Sequence, residues 1–269
     1  MKNTKISNSS NNILFDTNDN NSKIKLEDEL DGESVSEFFK NFENKAKDLD
    51  IFKVGYTKIE TKKANSEIRY ENIIILAIEM DENIIKTPPS EKAKNLNKEF
   101  YGKFRKVTED LSEYLETRGF KTQIAYPNEK LLDLPHLTQK AGLGCVGKSG
   151  LLITPEFGSK IKLSGILTSM VSSIFNQPNK INTINKTNKN DDDNDYKWIK
   201  DYCKDCKDCI ENCESEALIK KDDMNIAELL ESKCIGSEEG CTYCIEKCPF
   251  NEKGYELVKK ELLERYQKI

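Results

Sequence analysis

CKDCKDCIENC (203–213) and CIGSEEGCTYCIEKCPF (234–250) hold eight of the nine cysteines in the chain. The first run reads Cys203-x2-Cys206-x2-Cys209-x3-Cys213, and the second Cys234-x6-Cys241-x2-Cys244-x3-Cys248-Pro249. This x2, x2, x3 rhythm is the spacing at which bacterial two-cluster proteins bind cubane iron–sulfur clusters: three near cysteines hold one cluster and the fourth reaches across to the other. The spacing assigns Cys203, Cys206, Cys209 and Cys248 to one [4Fe-4S] cluster. Cys213, Cys241 and Cys244 go to a second, which Cys234 completes across the longer x6 gap. Glu214 follows Cys213 where the motif usually has proline. That departure alters the local turn and removes no ligand. A module of this kind moves electrons.

Two other readings compete for the same thiols. Disulfides suit an oxidising compartment, whereas no export signal is visible and the expected location is the cytoplasm. Zinc ribbons also use paired C-x2-C units, but a ribbon has no need of Cys203 and Cys213 at these offsets. The ninth cysteine, Cys145, lies far upstream and reads as a small buried hydrophobe.

The 269 residues suffice for one ordinary domain and a small second one. Hydrophobic content is 36% and charged content 33%. Two polar tracts account for that balance. Residues 1–30 and 176–197 carry too few apolar side chains to offset their ordering entropy, so both are expected to be disordered. The net charge is −5, from 42 Lys+Arg against 47 Asp+Glu. No basic block gives a strong nucleic-acid footprint. No run of about 18 apolar residues marks a membrane span.

Periodicity supplies the elements between the tracts. Val35, Phe38, Phe39, Phe42, Ala46 and Leu49 are spaced for an amphipathic helix over 34–49, with Ser34 or Ser36 as N-cap. IFKVGYTKI (51–59) alternates as a strand does. YENIIILAIEM (70–80) suits the centre of a sheet covered on both faces. After Pro88-Pro89 a long helix runs to Arg118, with Ala93, Leu96, Phe100, Phe104, Val107, Leu111 and Leu115 on one face and Gly119 at C′. Strands follow at 120–126, 150–154 and 161–170, with a short helix from Asp133 to Gly142. A last helix carries Tyr255, Val258, Leu262 and Tyr266 on one face. The expected class is α+β. The core spans 31–175, a cluster module spans 198–255, and a closing helix spans 256–269.

AGLGCVGKSGLLITPEFGS (141–159) places Gly142, Gly144 and Gly147 just before Lys148. Such a turn lets backbone N–H groups approach a ligand, although it fits neither a Walker A loop nor a dinucleotide fingerprint. Taken alone it is a tight turn with a solvated lysine. Taken with ILTSM, the strand-and-loop AIEMDENIIKTPPS and the cysteine module ending GCTYCIEKCPFN, the chain resembles the epoxyqueuosine reductases and reductive dehalogenases from about residue 50 to 255.

That resemblance implies a nitroreductase-like α/β core with a C-terminal two-cluster ferredoxin-like module. It implies cobalamin or another cobamide beside the two clusters, an electron donor such as ferredoxin or flavodoxin, and a small-molecule or modified-nucleoside substrate. It places Gly142, Gly144, Gly147, Lys148, Gly158 and Ser159 around the cobamide. Epoxyqueuosine reductases carry a catalytic aspartate upstream of the glycine turn, and here Asn128 takes that place. Lys148, Asp133 and Asn128 are the candidate catalytic residues. Two rival functions remain: a two-cluster electron carrier without cobamide, and a zinc-binding interaction module. The lone histidine, His136, reads as a helix-surface or structural residue, and Trp198 as a packing anchor.

Overall fold

The apolar run Ile73–Ala77 has no polar face to offer water, so it can be satisfied only inside a sheet covered on both sides. A computed structural model describes residues 23–30, 32–60, 67–126, 129, 131–176, 196–220 and 226–267. In chain order its elements are β1 (Ile24–Lys25), α1 (Val35–Asp48), β2 (Lys53–Lys58), β3 (Asn72–Glu79), α2 (Glu82–Lys86), α3 (Glu91–Glu116), β4 (Thr122–Ala125), α4 (Leu134–Lys140), β5 (Cys145–Val146), β6 (Leu152–Ile153), β7 (Ile161–Thr168) and β8 (Met170–Val171). There follow α5 (Lys197–Asp205), α6 (Asp208–Glu211), β9 (Leu218–Ile219), β10 (Glu228–Leu229), α7 (Gly236–Glu239), α8 (Tyr243–Glu246), α9 (Pro249–Glu252) and α10 (Tyr255–Tyr266).

The main sheet has the order β2-β3-β7-β4, and every neighbouring pair is antiparallel. Strand period 2 sends alternate residues of β3 to opposite faces. Ile74 and Leu76 join Tyr56 and Ile166 on one face, under Phe38 and Phe42 of α1 and Phe104 and Leu111 of α3. Ile73, Ile75 and Ala77 join Leu163 and Leu167 on the other, under Leu134 of α4 and the β5–β6 hairpin. The expected α+β mixture is what the chain forms. Ser34 caps α1 by accepting the Glu37 N–H, and Ser90 caps α3 by accepting the Ala93 N–H. Gly119 ends α3 at φ 85°, where the left-handed backbone favours glycine.

Two expectations need correction. Residues 23–30 belong to the core and not to a tail. β1 pairs in parallel with β8, and Leu26 is fully buried against the α1 and α3 face. Composition cannot register a strand partner so far along the chain. Tyr266 leaves the face on which Tyr255, Val258 and Leu262 are buried, and is 55% exposed. The last turn of α10 runs past the residues the helix packs on. The calls on residues 1–22 and 177–195 lie outside the described residues.

A buried hydroxyl pair ties α3 to the sheet. Thr108 Oγ1 donates to the Phe104 carbonyl at 2.9 Å, which leaves it to accept from Ser164 Oγ at 2.8 Å. Thr108→Val is expected to cost about 1–3 kcal/mol by orphaning the Ser164 hydroxyl. The double variant Thr108→Val/Ser164→Ala should lose less than the single one. Urea unfolding of wild type, both single variants and the double variant checks this, and a double variant as unstable as the sum of its parts would refute it.

Candidate functional site

The cysteine runs fold as short helical turns that change direction at each ligand position. Cys203 sits in the last turn of α5, and at Cys206 the backbone becomes extended. Cys209 lies in α6, and Cys213 follows its C-cap. Cys241 comes after the left-handed Gly240, Cys244 lies in α8, and Cys248 is the N-cap residue of α9. Pro249 starts α9 because its fixed φ suits the first helical position, where no N–H is needed. After Cys213 the residue is Glu214, and no helix starts there. The chain turns through Glu216 at φ 50° into β9.

The thiols gather in two neighbourhoods. Cys203 and Cys206 lie within electrostatic range of each other and of Cys248, and Cys209 within range of all three. Cys241 lies within range of Cys234 and Cys213, and Cys244 within range of those two and of Cys241. Cys209 also feels Cys244, so the two sets are adjacent. Burial pushes the Cys203 and Cys209 thiols up to about 12, and those of Cys206 and Cys244 up to about 11. Cys213 is also burdened by burial, but the Ser215 hydroxyl and the N–H groups of Ala217 and Leu218 outweigh it and lower its pKa. Metal would have to displace these protons on binding.

The donor chemistry fits iron–sulfur clusters. Each neighbourhood offers four thiols, and their sulfurs accept N–H bonds of the kind that stabilise metal-bound thiolates. Lys148 N–H reaches Cys203, Asp208 N–H reaches Cys206, Tyr243 N–H reaches Cys241, and Phe250 and Asn251 N–H reach Cys248. Ala217 N–H lies 3.3 Å from Cys213 Sγ. Among the described residues, no group of three or more His, Cys, Asp or Glu is drawn together tightly enough to hold a single metal ion.

The glycine turn meets the first neighbourhood. A Cβ at Gly147 would lie 2.5 Å from Ile153 Cδ1 and 3.5 Å from Cys203 Sγ. One at Gly144 would meet the Ile153 carbonyl oxygen at 2.4 Å. Lys148 is only 6% exposed, and its Nζ donates to the Lys204 carbonyl between Cys203 and Cys206. Ser159 is buried, with its hydroxyl near Cys248 and 3.4 Å from the Ile245 carbonyl. Gly158 packs on the Phe250 backbone, and Gly142 ends the α4 turn at φ 75°. None of these six residues opens on either of two cavities, of about 730 and 780 Å3. They form a filled seam between core and cysteine module. As packed here they make no opening of cobamide size onto either cavity.

The other candidates lie apart. Asp133 caps α4 through the His136 N–H, and its carboxylate holds His136 Nδ1 at 2.7 Å on an exposed surface. Asn128 lies outside the described residues. Cys145 is buried beside Cys203 and Cys248. Trp198 stacks edge-on against Tyr255 at 4.9 Å.

The second neighbourhood opens on the 780 Å3 cavity, part of which a cluster on these four thiols would fill. Its lining includes Cys213, Cys234, Cys241 and Cys244, faced by Lys94, Lys98, Tyr101 and Arg105 of α3 and Lys162 of β7. Ser90 N–H to Glu239 O and Asn97 Nδ2 to Gly240 O fasten the Cys241 loop to α3. The sequence reading missed this wall. Its signal was the helical spacing 94, 98, 101, 105, which ordinarily marks a solvated face.

No family model and no curated protein matches the sequence. Solved structures do match. One is a reductive dehalogenase, described as suggesting a mechanism for B12-dependent dehalogenation, at TM-score 0.65 and 15% identity, covering 86% of this chain and 35% of that one. A catabolic reductive dehalogenase follows at TM-score 0.63 and 15% identity, covering 82% and 33%. An epoxyqueuosine reductase bound to an epoxyqueuosine-modified tRNA-Tyr stem loop matches at TM-score 0.53 and 15% identity, covering 85% and 69%. The chain thus spans about a third of the length of the dehalogenases. The resemblance read from the glycine turn and the cysteine runs is met at the level of architecture: the chain has the fold of reductive dehalogenases and epoxyqueuosine reductases.

Proposed function

We propose that this chain is an iron–sulfur reductase that delivers electrons to an organic substrate in the 780 Å3 cavity. The observation that carries the proposal is that one thiol quartet forms part of that cavity's wall. In this reading residues 31–175 make a nitroreductase-like core and residues 198–255 a ferredoxin-like module. Bound clusters would supply single electrons at low potential. Cys203, Cys206, Cys209 and Cys248 hold the first, whose sulfurs the glycine seam shields from water. Cys213, Cys234, Cys241 and Cys244 hold the second, next to the substrate. Lys148 and Ser159 act on the first quartet, Lys148 through its N–H to Cys203 and Ser159 through its hydroxyl near Cys248. A cytoplasmic ferredoxin or flavodoxin is the donor class, and a small molecule or modified nucleoside the substrate class.

Cobamide dependence is the second reading. It rests on the dehalogenase neighbour whose description names B12-dependent dehalogenation. Anaerobic purification separates the readings. The proposal expects about eight iron atoms per chain; zinc without iron would sink it. Cobalamin added to the iron-loaded protein should bind in the cobamide reading and stay unbound in the cobamide-free one.

A further inference from the structure

Among the described residues, Lys148 is the one charged side chain that the fold buries. A lysine stem ordinarily lets its ammonium reach water. Here the turn between β5 and β6 is held from three directions. The Lys148 carbonyl accepts the Ala227 N–H at 2.7 Å, its N–H reaches Cys203, and its Nζ donates to the Lys204 carbonyl at 3.2 Å. Burying an ammonium is costly unless an anion compensates it. No carboxylate of the described residues pairs with Lys148.

The surroundings show where its anion belongs. Lys204 directly follows Cys203 in α5, so the ammonium is tied to backbone between two thiols of the first quartet. Four thiolates around an iron–sulfur cubane leave a net negative charge, and reduction by one electron adds to it. Asp208 opposes the cation, with Oδ2 3.6 Å from Cys206 Sγ, but it keeps part of its surface in water, which screens it. Lys200, which faces Cys145, is exposed. The second quartet has no buried cation. Half-buried Lys162 faces Cys244, and exposed Glu214 faces Cys241.

We infer that the Lys148 ammonium is the built-in counter-charge of the first cluster and raises its reduction potential above that of the second. Lys148 is thus a positioning residue: it acts on the substrate only through the cluster it faces. The inference deepens the proposed function and rests on its placement of the first cluster on Cys203, Cys206, Cys209 and Cys248. An electron from the donor reduces the first cluster by one unit and rests there. It passes on when the second cluster, oxidised by the substrate, takes it over.

The test is a potentiometric titration of the anaerobically iron-loaded full chain, followed by electron paramagnetic resonance. Wild type should show two one-electron steps, the more positive belonging to the cluster that Cys234→Ser retains. Lys148→Gln keeps a donor for the Lys204 carbonyl and removes the charge. It should lower that step alone, by at least about tenfold in the reduction equilibrium, or about 59 mV. Lys148→Arg keeps the charge and should hold the step near its wild-type value. Lys162→Gln should move the other step. An unchanged potential in Lys148→Gln, or an equal shift in the Gln and Arg variants, makes the lysine merely structural and overturns the inference. Should Lys148→Gln fail to hold the first cluster, iron content decides. About four iron atoms with Gln against about eight with Arg supports the counter-charge, and loss in both overturns it. Wild type without iron defeats the proposed function, whereas full iron with the order of potentials reversed defeats this inference alone.

Discussion

Cys234→Ser is expected to lower the iron content from about eight to about four atoms per chain and to leave one cluster intact. Cys234 follows the Glu231–Lys233 turn, and its N–H is held by the Leu230 and Glu231 carbonyls at 3.2 Å. It stands within electrostatic range of Cys241 and Cys244. A serine hydroxyl is a poor substitute for thiolate at iron, so the second quartet should fail alone. Cys248→Ser tests the crossed assignment from the other side. Cys248 belongs to the second run in sequence, yet its neighbours are Cys203, Cys206 and Cys209. Its loss should remove the cluster that survives in Cys234→Ser. Iron analysis and the resonance spectra of the two reduced variants decide the matter. An unchanged iron count in Cys234→Ser, or the same surviving signal in both variants, sinks the assignment.

Local pattern made much of this architecture legible. Phe38, Phe42 and Ala46 announced α1, and the run from Ile73 to Ala77 announced a central strand, because burial leaves a periodic trace. Long-range pairing leaves none. The ladder joining Asn72 to Thr168 and Thr122 to Thr168 sets the strand order, and nothing near those residues records it. α2 leaves no periodic trace, because five residues before a proline pair are too few to show one. Its Asp81 cap, accepting the Asn83 N–H at 2.7 Å, was the available sign. The gathering of the thiols into two sets was readable because ligand spacing constrains the local fold directly. The role of the glycine turn was not, since a glycine needed for a ligand and one needed for a neighbouring chain segment look alike in sequence.

Gly158→Ala is the sharpest test of that last distinction, with an expected loss of about 2–5 kcal/mol. Gly158 has φ 55°, which an L-residue adopts at a cost. Its added methyl would lie 2.4 Å from the Phe250 carbonyl oxygen and 2.7 Å from the Phe250 carbonyl carbon. These are backbone atoms two residues past Cys248, so neither can swing aside as a side-chain end would. The core and the module would have to separate there. The melting temperature should fall by roughly 10 °C, and iron should be lost first from the quartet containing Cys248. Gly102→Ala is the control. Gly102 lies within α3 with nothing within 4 Å of an added Cβ, and alanine there should stabilise the helix by about 1 kcal/mol. If Gly158→Ala folds with normal stability and full iron but loses an externally added ligand, the glycines serve a ligand and the seam reading fails.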